Sequence, residues 1–282
     1  MNKVKHFTIK ITIVILAITL SSAKLLKNEY YELEQTIDRT TTVDYLPFKE
    51  NIAFKEGELL SYKMHYGLVN AGVAILEVKP DLIEVSGRKV YHIVGTGFTT
   101  GTTDWFFKVR DKYETYMDKD ALLPWMFVRN VNEGGYKFSQ NYTFNHYTKK
   151  VDVGGGEKFD FPTGIQDMVS AFYSARNLDL SKAKEGDIFT LNCFLDKEIW
   201  PLKIKFVGRE TITTELGKVK ALKFRPIVQK GRVFKKEEDL NVWISDDNNH
   251  IVLKAQADVL IGSIKMEITK ALNLANDIAK VN

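Results

Sequence analysis

"FKEGELLSYKMHYGLV" (54–69) and "AKEGDIFTLNCFLDKE" (183–198) share Lys-Glu-Gly-acid followed by alternating apolar and polar residues, 129 positions apart. In the first copy Leu60, Tyr62, Met64, Tyr66 and Leu68 fall on one side of a period-two pattern. Ser61, Lys63 and His65 fall on the other, as in a half-buried strand. The correspondence continues along the chain. Gly57 matches Gly186, Gly87 before "RKVYHIV" matches Gly217 before "KVKALKF", and Gly101 matches Gly231. The "YMDKD" turn (116–120) then matches "WISDD" (243–247), so the offsets stay between 127 and 130. Turn signals in one order at near-constant separation point to an internal repeat over about 54–144 and 183–270.

The runs between the turn signals read as strands of an antiparallel meander. They are "VAILEV" (73–78) after a turn at "NAG" (70–72), then "VYHIVGTGF" (90–98), "WFFKVRDKYETYM" (105–117), "PWMFVRNV" (124–131) and "GYKFSQNYTF" (135–144). Gly, Asp, Asn or Pro separates most of them at hairpin spacing. A sheet with one apolar face needs a cover. The predicted fold is therefore mainly β: two duplicated antiparallel curved sheets forming a barrel-like or sandwich body. Between the copies, "PTGIQDMVSAFYSAR" (162–176) places Ile165, Met168, Val169, Phe172 and Tyr173 at helical spacing. Thr163 and Gln166 have the spacing of a capping box. This amphipathic helix is expected to plug one end of the sheets.

The first residues read as an export signal. Lys3, Lys5 and Lys10 precede an apolar run from Ile11 to Leu20 and the small residues "SSA" (21–23). That run is short for a membrane span, and no Cys follows it for lipid attachment. The expected organisation is a signal peptide at 1–23 and an N-terminal arm or linker at 24–50. A first β repeat (51–161), a connecting helix (162–178) and a second β repeat (179–282) follow. Cleavage near Ala23 removes three Lys and no acid, so a formal charge of +4 falls to +1. A near-neutral mature chain gives no electrostatic case for nucleic acid. Its single Cys, Cys193, makes no internal disulfide and alternates with Leu191 and Leu195 as a buried apolar residue does.

No catalytic or metal constellation stands out. His65, His92, His146 and His250 show no paired metal spacing. "DDNNH" (246–250) reads as a polar hairpin turn, lacking the alternate ligands and closing Glu of a calcium loop. "VGGGEKF" (153–159) lacks the Gly-Lys-Ser/Thr of a phosphate loop and reads as a hinge or strand kink. Asp104, Asp111, Glu114, Asp118 and Asp120 supply carboxylates for glycan cleavage, but their separation is not a property of sequence. Ser170 is not in a nucleophile elbow. No metal and no cofactor is expected.

The aromatic residues are more informative. Trp105, Phe106 and Phe107 are consecutive, so a strand sends them to both faces. Trp125 and Phe127 share a face, with Tyr136, Phe138, Tyr142 and Phe144 on the adjoining arm. Core packing explains such rings, and so does the lining of an apolar cavity. Trp105, Phe107, Trp125, Phe127, Tyr136, Tyr142 and Phe172 are the candidate ligand-binding residues.

Four stretches carry a family resemblance: "NIAFKEGELLSYKMHYGLVNAGVAILEV" (51–78), "KVRDKYETYMDKDALLPWMFVRNVNEGGY" (108–136), "QDMVSAFYSAR" (166–176) and "NVWISDDNNHIVLKAQADVLIGSIKMEI" (241–268). They resemble a family of exported bacterial proteins, domain of unknown function number thirty-one hundred and eight. The resemblance implies an envelope protein rich in antiparallel β structure and carries no catalytic residue. More distantly, the chain is similar to the curved-sheet carriers of lipoprotein localisation, which implies a concave face for acyl chains. The combined expectation is an exported, non-enzymatic periplasmic protein of the Gram-negative envelope holding a lipid or other amphiphile. Its rivals are an assembly module with an envelope protein partner and a solid core, and a glycan-active enzyme. No membrane span is expected after signal cleavage.

Overall fold

The computed structural model describes residues 46–227, 240–258 and 262–281. The signal at 1–23, most of the arm and Gly231 of the repeat lie outside them. The first half contains β1 (Leu59–Tyr66), β2 (Val69–Val78), β3 (Ile83–Val85), β4 (Arg88–Thr99), α1 (Gly101–Phe106), β5 (Arg110–Asp118), β6 (Pro124–Glu133) and β7 (Tyr136–Asn145). The short strands β8 (Lys150–Asp152) and β9 (Lys158–Asp160) lead to α2 (Met168–Ala175). The second half contains β10 (Ile188–Leu195), β11 (Glu198–Thr214), β12 (Gly217–Pro226), β13 (Leu240–Ser245), β14 (Val252–Asp258) and β15 (Ser263–Leu272). Strands β1, β2, β4, β5, β6 and β7 begin 127 to 130 positions before β10 to β15, taken in order. The duplicated meander expected from the glycines is thus the architecture.

The two meanders form one antiparallel sheet in the order β10-β11-β12-β13-β14-β15-β1-β2-β4-β5-β6-β7-β8-β9, with β3 beside β4. The seam is β1 against β15, with Tyr62 opposite Ile268 and Met64 opposite Met266. The terminal strands β9 and β10 do not pair, so the sheet is not closed. A strap joins them instead. Phe161 N donates to Lys149 O at 3.0 Å, Gln166 N to Asn192 O at 2.8 Å, and Phe194 N to Gln166 O at 2.8 Å. The Phe194 ring of β10 then meets Tyr142 at 5.1 Å, Phe144 at 6.2 Å and Phe159 at 5.8 Å. Side chains and strap do what strand pairing does in a closed barrel.

Three local expectations are corrected. The helix is shorter than the amphipathic pattern and starts at Met168. The backbone of Gln166 is already pairing with β10, which requires extended geometry, so Thr163 and Gln166 form no capping box. Asp167 caps instead, accepting from Val169 N and Ser170 N while the Ser170 hydroxyl accepts from Asp167 N. "NAG" is strand, not turn. The chain reverses at Gly67 and Leu68, and Gly72 sits where a Cβ would lie 2.3 Å from the Phe98 carbonyl oxygen. Finally, Trp105 and Phe106 belong to a helical turn, and the expected strand starts at Arg110.

"DDNNH" is the polar hairpin turn expected, whereas "VGGGEKF" is the turn between β8 and β9 rather than a hinge or strand kink. In "DDNNH" the Asp247 carboxylate accepts from the Ser245 hydroxyl, Asn249 N and, from the C-terminal tail, Ala279 N. Gly154, Gly155 and Gly156 all take positive φ in the β8–β9 turn. Cys193 is fully buried, and burial pushes its thiol up to about 12.

The inner face of the first half, joined by Phe194 of β10, packs Phe54, Tyr91, Phe127, Tyr142 and Phe144 against Ile165, Val169 and Tyr173 of the strap and α2. A second cluster holds Leu60, Tyr62, Val219, Trp243 and Ile251, and Phe172 packs against both. A buried ion pair pins the centre. Arg176 donates to both Glu58 oxygens at 2.6 and 2.7 Å, to Ala53 O at 2.8 Å and to Asn249 O at 2.8 Å. The arm end is held down as well, through Lys49 N to Asp120 O and Lys49 Nζ to the Ser174 hydroxyl.

Candidate functional site

The seven candidate ligand-binding residues do not converge. Phe127 and Tyr142 are buried in the aromatic cluster, 5.8 Å apart between ring centres. Trp125 is buried too, with its indole N–H donating to Asp118 Oδ2 at 2.9 Å and its ring edge on His146. Phe172 is half-buried between the two inner clusters. Phe107 is buried against Gly134, where a Cβ would approach the ring to 2.2 Å. Trp105 and Tyr136 stand at the surface, 82% and 62% exposed.

Antiparallel alternation places the β1–β2 turn, α1, the β6–β7 turn and the β10–β11 turn at one end of the sheet. Here the chain makes an apolar crest. Leu68 is fully exposed, Val69 half-exposed, and Trp105 and Phe106 project from α1 with ring centres 4.6 Å apart. The two segments are tied together by Thr100 N to Ala71 O at 3.3 Å and by the Thr103 hydroxyl to Asn70 O at 3.3 Å. Asp104 fixes the helix from below. It accepts from the Thr99 hydroxyl at 2.6 Å and from Arg110 at 2.6 and 3.0 Å. The Arg110 guanidinium, then Thr99, hold the Asp104 carboxyl down at about 2. With Phe107 anchored inward and Asp104 clamped, Trp105 and Phe106 have nowhere to turn but outward.

Inside that end lies a polar group that sequence reading missed as a group. Asp111 of β5 and Glu133 of β6 are buried side by side and share a hydrogen bond. Burial, then the neighbouring Asp111 charge, raises Glu133 to about 8, and burial also raises Asp111. Arg129 faces them, paired with Asp196 at 2.8 Å and stacked over the Phe138 ring. Carboxyls in direct hydrogen bond leave no room for the sugar that glycoside cleavage places between its two acids. The other carboxylates are elsewhere engaged. Glu114 binds His92 and Lys112, and Asp118 binds Arg88, Trp125 and the backbone of its own turn.

At the opposite end, Leu46, Pro47, Leu123, His146, Phe161 and Gly164 line a recess of about 20 Å³. That holds one water, against the roughly 300–1,000 Å³ of a small-molecule site. Among the described residues no cluster of three or more His, Cys, Asp or Glu is arranged to hold a metal ion. No described helix is long and apolar enough to cross a membrane, which says nothing of strands.

Comparison with known proteins agrees on the fold. A β-barrel-like protein of domain of unknown function DUF1849 from Brucella abortus aligns with 80% of this chain and 99% of its own, at 12% identity and a TM-score of 0.52. Weaker likenesses include a "putative lipoprotein" from Parabacteroides distasonis (12% identity, 81% and 100% covered, TM-score 0.36). Another is a "putative exported protein" with a YmcC-like fold from Bacteroides fragilis (12% identity, 78% and 97% covered, TM-score 0.32). No curated protein matches. The family model described as "Protein of unknown function (DUF3108)" matches residues 61–269, most of the two meanders, and the chain belongs to that family.

Proposed function

We propose that the protein is a non-enzymatic component of the cell envelope that acts by docking, through the crest of Leu68, Val69, Trp105 and Phe106. The observation that carries this reading is their joint exposure on two segments hydrogen-bonded to each other. Large apolar side chains scattered singly need no explanation, whereas a contiguous group on a rigid support marks an interaction site. The export signal read at residues 1–23 supports a place outside the cytoplasm. The inner face supports the solid-core alternative: Phe127, Tyr142 and Phe172 are in contact with other rings or clusters, so an amphiphile among them requires those contacts to part.

The test is sedimentation velocity of the fluorescently labelled chain in an envelope extract. Wild type is expected to sediment as larger species, and Trp105→Ser with Phe106→Ser to remain a free monomer of unchanged Tm. Equal sedimentation of the two would contradict docking at the crest. In the same preparation, the free delipidated chain is expected not to take up a fluorescent fatty acid. Uptake lost on Phe127→Ala would favour the cradle instead.

A further inference from the structure

We infer that the occupant of the crest is the surface of an anionic lipid bilayer, an assignment that rests on the docking reading above. Leu68 and Trp105 are 103% and 82% exposed at the tips of a turn and a short helix, so they project rather than line a groove. A protein partner's anchor residues sit in fully desolvated pockets with a surrounding rim. A crest of projecting side chains instead suits a soft medium that closes around it.

Trp at the headgroup level, with Phe and Leu beyond it, is the side-chain set enriched where one end of a ring must be wet and the other dry. Trp105 and Phe106 lie edge to face on a helix whose Asp104 is clamped, so the backbone that presents them is held in place.

Lys108 follows the helix directly, and Lys137 lies beyond the β6–β7 turn at the same end. Both are exposed, and neither forms an ion pair within 4 Å among the described residues, although Asp104 lies within electrostatic reach of Lys108. Asp104, the acid within the crest, is neutralised by Arg110. The other exposed acids at this end among the described residues are Asp258, two strands from the turn at Leu68, Asp196, paired with Arg129, Glu157, paired with Lys197, and Glu198 at the start of β11. Unpaired lysines beside an insertable ring favour an anionic surface and make binding sensitive to salt.

The test uses the chain as recovered from the producing cell, wild type and variants alike, so that any contribution of residues 1–45 is common to both. Vesicles of phosphatidylglycerol in phosphatidylcholine are compared with pure phosphatidylcholine, by co-sedimentation and by quenching of tryptophan with brominated lipid. Trp125, Trp200 and Trp243 are buried, so bilayer quenching reports Trp105. Quenching on anionic vesicles is expected. Trp105→Ser with Phe106→Ser should weaken partition by about tenfold or more. Lys108→Glu with Lys137→Glu should weaken it on anionic vesicles and leave the weaker binding to neutral vesicles unchanged. Absence of brominated-lipid quenching on both vesicles, or partition retained by the serine variant, would overturn the assignment. If the extract still shifts wild-type sedimentation in that case, the docking reading stands and the partner is a protein. If it does not, both fall.

Discussion

Glu133 shows how one buried side chain sets a pH dependence for the molecule. Its folded pKa is raised to about 8 from 4.5, by burial and then by Asp111. Between those values the unfolded chain has released its proton and the folded chain has kept it, so stability falls as pH rises through that window. Asp111 is raised as well and acts in the same direction, while the facing Arg129 acts against both. Glu133→Gln keeps a hydrogen-bond donor beside Asp111 and removes the titration. Its Tm should match wild type near pH 4.5 and exceed it by a few degrees, roughly 2–6 °C, at pH 8. A Tm difference independent of pH would show that the shared proton is absent. The pair was not legible in sequence because Asp111 and Glu133 are 22 positions apart and meet through antiparallel register alone. Period two did place the rings of Phe127, Tyr142 and Phe144 on one face. It could not say whether that face was filled.

Among the elements, the two helices show where local pattern succeeds and where it misleads. In α2 the 3–4 spacing of Met168, Val169, Phe172 and Tyr173 was sufficient to predict a helix. Its start was misplaced because a strap with tertiary hydrogen bonds to β10 outweighed the local cap at Thr163. The true cap, Asp167, is buried, and burial raises it to about 6 despite its hydrogen bonds from Thr115, Ser170 and Val169. Asp167→Ala removes that cap and leaves the Thr115 hydroxyl and two backbone N–H groups without their acceptor. A loss of about 1–3 kcal/mol is expected in urea unfolding, and Asp167→Asn should recover part of it. In α1 the consecutive rings at 105–107 read equally well as strand. What decided for helix was non-local: the Arg110 and Thr99 clamp on Asp104 and the socket that Gly134 leaves for Phe107. The crest was therefore invisible until the strands around it were placed.

Across the whole molecule, the duplication was the most legible feature. Each strand and turn of the meander is a local signal, and two copies at a fixed offset confirm one another. The joining of the halves was not legible, since nothing local states that β15 pairs with β1 or that β9 and β10 stay apart. The Glu58–Arg176 pair sits at this join, contacting the chain entering β1, the end of α2 and the β13–β14 turn. Arg176→Met leaves Glu58 buried without its partner and should cost about 3–5 kcal/mol. Its unfolding should lose stability in both halves together, as expected of one cooperative sheet. Retention of a second, undisturbed transition would mean that the halves unfold independently.

The claim on which the functional account rests is that Trp105 is free in the isolated protein and covered when the protein is at work. Iodide quenching of tryptophan fluorescence, in wild type and in Trp105→Phe, tests it directly before and after addition of the envelope fraction. A quenchable component is expected in the isolated chain, absent from Trp105→Phe and lost when the envelope fraction is added. A component that stays equally quenchable after that addition would contradict the claim.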